Sequence, residues 1–497
     1  MFRRIDFAYA ARKLRGTLRS GHSAARYRQM LERLADGALG AAPGADLPAI
    51  DICVAPSVSS ATHQFAKQLA DEHQTVNLVG GANEVTAPWI WYWRHDLKPT
   101  KHCIAALHRA IAQHPETALL FSDEWIVDAD GQTTDLWAKP AMDVFAQANG
   151  TLWPTSFVQR VGVTTQPARA ASWVHLPYPL TQRPLKPDTA TSVPPKGTEA
   201  RPSDPVTIVI PSRNAVELVD TCLTSLFETT RYPIFDVVVV DNGSDDGAVF
   251  ELYRRVQKLH QNFRVISSPG EFNFAALVNE GAACAQGHVC LLNNDIEIVQ
   301  ADWLTQMVGA LTEPAADIGV VGARLNYPDG SIQHLGVGVG LFEAADHPYR
   351  ADRSPPAIQA SRLAGLYEVS AVTAAAMLVH SDCWRALKGF DGQTFVVAFN
   401  DVDFCLRARA AGWRIALQGG VELVHHESAS RGKNVSRERQ LAYAGERAAL
   451  QRRWQTRTAQ DPFLSPHHCP YSRTPRLTSL DAYPEARTAK PLEAQDI

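Results

Sequence analysis

Residues 288–298 read HVCLLNNDIEI. A short apolar run, Val289 to Leu292, stops at Asn293-Asn294-Asp295 and resumes with Ile296 and Ile298. An apolar run of this length reads as a buried strand. Strongly polar side chains at its carboxyl end suit the rim of an open α/β sheet, where such sheets bind ligands. One carboxylate and two amides there offer oxygen ligands for Mg or Mn, with positions left for water and a phosphorylated ligand. A capped turn would use the same residues.

The same strand-then-polar-break pattern recurs on both sides. Val206–Ile210 ends in Pro211-Ser212-Arg213-Asn214, and Val216–Thr229 has helical spacing. Val237–Val240 ends in Asp241-Asn242-Gly243-Ser244, followed by a helical stretch from Asp246 to Leu259. Phe263–Ile266, the helix Phe274–Cys284, the strand 289–292 and the helix Trp303–Leu311 complete the rhythm. Alternating strands and helices predict an α/β fold with a mostly parallel, Rossmann-like sheet covered on both faces. The unbroken valine run agrees with burial on both faces.

Each break carries a candidate. Arg213 offers a donor fork suited to phosphate, with Asn214 beside it. Asp241 could accept hydrogen bonds from a base or ribose, and Asn242-Gly243 makes a tight turn with Ser244 or Asp245 as helix cap. Further on, Phe399-Asn400-Asp401-Val402-Asp403 opens a helical pattern ended by Gly412. With Asn400 as cap, Asp401 sits in the first turn, where the helix dipole favours its ionised form. That placement suits a general base aimed into a cleft, and it equally suits capping. His425-His426-Glu427-Ser428 follows Val421–Val424, and a histidine at a strand end can be a further metal ligand.

The bulk numbers narrow the class. The chain has 497 residues, 45% hydrophobic and 20% charged, with room for two to four domains. A net charge of −4 gives no global case for nucleic acid. Eight cysteines form no CxxC pair and read as reduced cytosolic thiols. His467-His468-Cys469 lacks the second ligand pair of a zinc site. No GxSxG elbow and no GxxxxGK[ST] loop occurs, and GVGVG at 336–340 lacks a strand–loop–helix context.

No run approaches the roughly 20 apolar residues of a membrane span, and no signal-peptide core opens the chain. Residues 1–34 are basic with interspersed apolar side chains. They read either as a helix at the anionic inner face of a membrane or, the favoured reading, as a helix packed on the next domain. The expected place is the cytoplasm, with peripheral membrane contact as the alternative.

Five segments are expected. Residues 1–48 form a basic helix and linker, and 49–176 a first unit. Residues 177–205, with eight prolines, form a connector, 206–456 the larger unit, and 457–497 an irregular tail. A weak repeat at about 200 residues links the units: WIWYWRHDLKPTKHCIAALHRAIAQHP (89–115) parallels VCLLNNDIEIVQADWLTQMVGALTEP (289–314). ALLFSDEWIVDADGQ (118–132) parallels DIGVVGARLNYPDGS (317–331), so the first unit reads as a shortened relative of the second.

Taken in order, TIVIPSRN, VVVVDNGSDDG, FNFAALVNEGA, CLLNNDIEIVQADWL, GVVGARLNYPDGSIQHLGVGVGL, SAVTAAAMLVHSDCW, FNDVDFCLRARAAGW and ELVHHESASRG resemble a family 2 glycosyltransferase of the GT-A fold. The combination is similar to rhamnosyltransferase-like enzymes of bacterial O-antigen and surface polysaccharide synthesis.

The resemblance implies roles. Arg213, Asn214, Asp241, Asn242, Asn273, Asn293 and Asn294 would hold a dTDP-, UDP- or GDP-linked sugar. Asp295, at the last position of a DxD-type motif whose first acid is here Asn293, would bind Mg or Mn with His425, His426 being the alternative. Asp401 would be the catalytic base, with Asp403 grouped beside it.

The implied activity is inverting, metal-dependent transfer of a sugar, with rhamnose the first candidate, to a saccharide or lipid-linked saccharide. The alternative is a non-catalytic nucleotide-sugar-binding scaffold. The first unit has Arg94-His95-Asp96 where the second has Asn293-Asn294-Asp295, and lacks counterparts of DNGSDD, NDVD and HHE. It is expected to be a degenerate, catalytically inactive glycosyltransferase-like unit.

Overall fold

The computed structural model describes residues 13–14, 21–39, 47–139, 156–162, 173–184, 204–313, 317–354, 363–426, 436–474, 476–480 and 487–488. These fall into two compact units. The first comprises Met1–Thr191 with Pro462–Lys490, and the second mainly Ser192–Pro356 and Arg362–Asp461. Most of the proline-rich connector lies outside the described residues.

The first unit opens with helix α1 (Ala24–Leu39), which buries Tyr27, Leu31, Ala35 and Leu39 along one face. Residues four apart share a helix face, so this stripe packs inward. For these residues the packed reading holds. The rest of 1–34 lies almost entirely outside the described residues.

Strands β1 (Ile50–Val54), β2 (Val76–Val79), β3 (Trp89–Trp93), β4 (Lys98–Pro99), β5 (Leu119–Val127), β6 (Thr133–Trp137), β7 (Ser156–Arg160) and β8 (Trp173–Pro184) build its sheet. The order is β2-β1-β3-β7-β5-β8, ending in the short strand Arg487–Thr488. Helices α2 (Ser60–Glu72) and α3 (Cys103–Gln113) belong to the same unit. Trp91 and Trp93 are fully buried and meet edge to face, 5.2 Å apart.

Two boundaries differ from the sequence reading. Residues 177–184, expected as connector, finish the 12-residue strand β8. Pro177, Pro179 and Pro184 cannot donate to a ladder. The register against β5 accordingly shifts around Asp123. Nor is the tail wholly irregular in its packing, because Pro462–Lys490 belongs to the first unit. There His467 is fully buried, with Nε2 3.1 Å from Asp123 Oδ2 and Nδ1 2.9 Å from the Tyr27 hydroxyl. His175 Nε2 lies 2.8 Å from Asp123 Oδ1.

The second unit contains β9 (Val206–Ser212), β10 (Phe235–Asp241), β11 (Phe263–Ser267), β12 (His288–Leu292), β13 (Ile296–Glu297), β14 (Ile318–Asn326) and β15 (Ile332–His334). A ribbon of β16 (Gly338–Val339) and β17 (Ala345–Asp346), then β18 (Leu366–Glu368), β19 (Ala376–Val379) and β20 (Arg414–His425), complete the set. The main path is β11-β10-β9-β12-β19-β14-β20-β13. Helices α4 (Val216–Thr229), α5 (Gly247–Leu259), α6 (Phe274–Ala282), α7 (Trp303–Leu311), α8 (Ser381–Leu387), α9 (Asn400–Ala410) and α10 (Arg437–Trp454) accompany it.

Strands β11, β10, β9 and β12 are parallel, as expected. The rest is mixed: β19 runs antiparallel to both β12 and β14, while β14 and β20 are parallel. The sheet is therefore only half parallel. An apolar run such as Ala376–Val379 carries no signal of its direction, which long-range pairing decides.

Strand for strand, β2-β1-β3-β7-β5-β8 repeats β10-β9-β12-β19-β14-β20. In each unit the first three strands are parallel, the fourth is antiparallel to its neighbours and the last two are parallel. Trp89 pairs with Ile50 at the start of β1, as His288 pairs with Val206 at the start of β9. Counting on from those pairs puts Asp96 in the register position of Asp295.

Gly281 lets α6 lie close on the sheet. A Cβ there would stand 2.4 Å from Val209 Cγ1 and 2.8 Å from Val240 Cγ2. Both valines are fully buried, so neither can swing away. Overpacking a tight core costs about 1–3 kcal/mol. Gly281→Ala is expected to lose stability in that range in a urea titration of the second unit's transition.

Candidate active site

The carboxyl ends of β9, β10 and β12 carry the polar turns picked out in the sequence. Ser212 ends β9, and its hydroxyl accepts from Asn294 Nδ2 at 3.1 Å, which joins the first and fourth strand ends. Asn214, held at φ 51°, receives hydrogen bonds from the Asp245 and Asp246 amides at its Oδ1. Asp246, rather than Ser244 or Asp245, caps α5. Ser244 instead donates its amide (2.8 Å) and its hydroxyl (2.6 Å) to the Asp241 carboxylate.

Asp241 is buried and also receives the Tyr253 hydroxyl at 3.2 Å. Its first job is therefore to shape this turn. A base or ribose would have to share it. Asn242 donates to the carbonyls of Ser268 and Gly270, while its buried Oδ1 has no hydrogen-bond partner among the described residues. Arg213 is exposed at the rim.

Asn273, grouped in the sequence with ligand-binding residues, is used structurally. Its Oδ1 caps α6 by accepting from Ala276 N, and its Nδ2 donates to Gly392 O at 3.0 Å. That leaves its amide little capacity for a ligand.

Asp295 and His425 come together across 130 residues. His425 Nε2 lies 3.1 Å from Asp295 Oδ1, and both residues are buried. The backbone seals the contact: Ile296 pairs with His425, and the His426 amide donates to Asp295 O at 2.9 Å. His426 turns elsewhere, to Glu297 Oε2 at 2.8 Å, so His425 is the partner of Asp295. An imidazole nitrogen and a carboxylate oxygen both about 2.1 Å from one small cation would stand roughly 3 Å apart. The pair fits a Mg- or Mn-type ion held by few protein ligands and completed by water and phosphate. Among the described residues no group of three His, Cys, Asp or Glu side chains converges to cage an ion by itself.

The segment Thr373–Ala375 links this pair's strand end to Asp401. Ala375 O accepts from Asn293 N at 3.0 Å, and Ala374 N donates to Asp401 Oδ2 at 3.0 Å. Asp401 Oδ1 accepts from Val402 N at 2.8 Å. Asp401 lies in the first turn of α9 as expected, but the cap is Phe399 (φ 61°), and Asn400 is the first helical residue. Asn400 donates back to Val397 O.

Burial raises the Asp401 pKa above the ordinary aspartate value, against the lowering effect of the Ala374 and Val402 amides and Thr373. A carboxylate raised by desolvation is a stronger base, as proton abstraction wants. The charged form must be present for catalysis, so the acid limb of a pH–rate profile is expected to have its midpoint above the ordinary aspartate pKa, reported by kcat against pH.

Asp403 is a correction. Fully buried, it accepts from Arg407 Nε (2.8 Å), Arg453 Nη1 (2.9 Å) and Trp454 Nε1 (3.0 Å). It ties α9 to α10 and is not a catalytic candidate. Conversely, His334 escaped the sequence reading. It is fully buried, its Nδ1 stands 2.8 Å from His347 Nδ1, and its Nε2 accepts from Thr373 N at 3.5 Å. Burial, then His347 and His425, hold its pKa well below the ordinary value, which keeps the ring neutral. Only its place in SIQHLGVG could have flagged it.

The second unit thus combines a half-parallel α/β sheet, an Asp–His pair at one strand end and the half-buried Asp401 carboxylate at a helix start. Residues 207–339, within the second unit, match the family model Glycosyl transferase family 2.

Among curated proteins, the chain is 36% identical over 263 residues to the uncharacterized protein y4gI of Sinorhizobium fredii (53% of this chain, 29% of that protein). It is 33% identical over 266 residues to the O-antigen biosynthesis protein RfbC of Myxococcus xanthus (53% of this chain, 20% of that protein). The chain thus spans less than a third of the length of these relatives. The mannosyltransferase PcManGT from Pyrobaculum calidifontis, solved with GDP-Man and Mn2+, is similar over 47% of this chain and 60% of that one, at 20% identity and a TM-score of 0.36.

Proposed function

We propose that the second unit is an inverting, divalent-metal-dependent glycosyltransferase. It would move a sugar, with rhamnose the first candidate, from a dTDP-, UDP- or GDP-linked donor to a saccharide or lipid-linked saccharide acceptor in surface-polysaccharide assembly. The observation that carries this reading is the coupling of the Asn293–Asp295 turn to Asp401 through Thr373–Ala375. It supports one cleft holding both an anion-side anchor and a base.

Asp295 and His425 would hold Mg or Mn, which would neutralise charge on the leaving diphosphate. Asn294, fixed by Ser212, and Arg213 at the rim supply donors beside it. Asp401 would take the proton from the acceptor hydroxyl as that oxygen bonds to the anomeric carbon and the bond to the diphosphate breaks. Attack from the face opposite the leaving group inverts the anomeric configuration and needs no covalent intermediate.

The rival reading is a non-catalytic nucleotide-sugar scaffold. The half-buried Asp401, held by Ala374 N and Val402 N with its pKa raised by desolvation, favours catalysis, because a scaffold gains nothing from a carboxylate so placed. No helix among the described residues is long and apolar enough to cross a membrane. Cytoplasmic placement, with peripheral contact through residues 1–34, is part of the proposal.

Calorimetric titration with UDP, GDP and dTDP tests the binding half. At least one should bind with Mn2+ and lose most of its affinity in EDTA or in Asp295→Ala. Binding indifferent to both would remove the metal from the scheme. The anomeric configuration of the product, read by NMR, tests inversion.

A further inference from the structure

The first unit holds a cleft where its repeat partner holds the candidate active site. A cavity of about 330 Å³ is lined by Arg28, Ser59, Phe65, Asp96, Lys98 and Gln182, among others. It sits beyond the carboxyl ends of β1, β3, β5 and β8, the counterparts of β9, β12, β14 and β20. Its volume falls at the small end of the range for ligand clefts, about 300–1,000 Å³.

The chemistry of this cleft has changed from that of the second unit. Asp96 occupies the register position of Asp295, yet Oδ1 accepts from Ser59 N at 2.6 Å and from Thr62 Oγ1 at 3.3 Å. It anchors the start of α2. The residues before it are Arg94 and His95 in place of two amides, and the Arg94 guanidinium lies 4.9 Å from the centre of the Phe157 ring. In this unit the carboxylate is committed to the start of α2, and the guanidinium lies beside an aromatic ring.

The cleft presents an amphipathic wall. Phe65 presents a half-buried aromatic ring with the Lys98 ammonium 5.5 Å from its centre. Arg28 donates through Nη1 to Gln182 Oε1 (2.9 Å) and Thr133 Oγ1 (3.0 Å), and through Nε to Glu32. Planar amide and guanidinium groups are thereby held rigid at the rim, which limits the entropy a ligand must spend on ordering them. A ring face beside fixed planar donors and acceptors matches a pyranose, which has an apolar C–H face and a rim of hydroxyls that both donate and accept.

We propose that the first unit is a saccharide-binding module, and that the cleft at Phe65, Lys98 and Gln182 holds a short segment of glycan. This goes beyond the transferase reading and does not depend on the second unit being active. In a polysaccharide-building chain, such a module would raise the local concentration of a growing acceptor.

The test is saturation-transfer NMR on the full-length protein. The probes are methyl glycosides of glucose, mannose, rhamnose and glucuronic acid, each with saturating UDP or GDP and Mn2+ present to occupy a nucleotide site. At least one glycoside should show transfer to its ring protons. Phe65→Leu, which keeps apolar volume but removes the ring, and Lys98→Glu, at an exposed position, should each reduce it at least fivefold. The nucleotide signal should be unchanged in both. No glycoside signal in the wild type, or a signal indifferent to both variants, overturns the proposal. A nucleotide signal that falls with these variants overturns it too, because the cleft would then be a nucleotide site. Failure of nucleotide binding alone would count against the second unit's proposed activity and leave the glycoside result standing.

Discussion

Asp401→Asn is expected to lower kcat for sugar transfer about 10²–10⁴-fold, the usual contribution of a positioned general base. The amide is isosteric, and its single oxygen can keep one of the two bonds that the carboxylate accepts from Ala374 N and Val402 N, so the first turn of α9 should keep its shape at a modest local cost. It cannot accept a proton from the acceptor hydroxyl. Donor affinity, which depends on the strand-end turns, should stay within a few-fold of wild type. That split between kcat and donor binding marks an interaction made only in the transition state.

Stability should move the other way. Because burial raises the Asp401 pKa, the native state holds its proton more tightly than the unfolded chain does. Stability tied to that proton is present at low pH and is lost as pH rises from the ordinary aspartate value through the raised one. At neutral pH the charged side chain is therefore a cost that the neutral asparagine removes, while one backbone N–H loses its acceptor, so the variant should stay close to wild-type stability. Thermal melts of both proteins, one below the ordinary aspartate pKa and one at pH 8, should show the variant gaining on the wild type only at the higher pH.

Asp403→Ala should have the second-largest effect, on folding and not on chemistry. The carboxylate is fully buried between Arg407, Arg453 and the Trp454 indole. Removing it leaves two guanidinium groups and an indole N–H short of an acceptor. Breaking a buried pair from one side costs about 3–5 kcal/mol. Arg453 keeps Asp391 at 2.9 Å, which places the expected loss towards the lower end. Denaturant unfolding should show a large drop in midpoint, with residual transfer tracking the folded fraction. A variant as stable as wild type but catalytically dead would return Asp403 to the active site.

These two aspartates show where sequence reading reaches its limit. Both sit in the first turn of α9, two residues apart, and so point roughly 200° apart around the helix. The sequence FNDVDFC places the helix start but contains nothing that says which side faces the cleft. That depends on α10 and on Thr373–Ala375, both remote in sequence. Similarly, Ser244, Asp245 and Asp246 are equally good caps. Only the remote partners decide: the Ser244 hydroxyl donates to Asp241 and the Asp245 carboxylate accepts from Asn214 Nδ2, which leaves Asp246 for α5.

Strongly periodic elements were legible. The helix Val216–Thr229 and the strand around Val237–Val240 stand where apolar spacing put them, because burial on both faces leaves a valine run no other stable state. The 200-residue repeat was legible as well, and reappears as one strand order in two units. What could not be read was non-local. His467 reaches Asp123 across 344 residues, and no local pattern marks a Pro- and Arg-rich tail as packed against a buried carboxylate. Strand β8 was hidden by prolines that normally signal a linker, and is accommodated by register shifts opposite Ser122–Glu124.

The central claim is that the second unit turns over nucleotide-sugars through a metal-anchored diphosphate and the Asp401 base. The most direct measurement is release of nucleoside diphosphate from a panel of dTDP-, UDP- and GDP-sugars by the full-length protein with Mn2+ or Mg2+, run alongside Asp401→Asn and an EDTA control. The account predicts turnover of at least one donor by the wild type, abolished by EDTA and reduced at least 100-fold in Asp401→Asn. Equal turnover by wild type and Asp401→Asn, or turnover indifferent to EDTA, would contradict it.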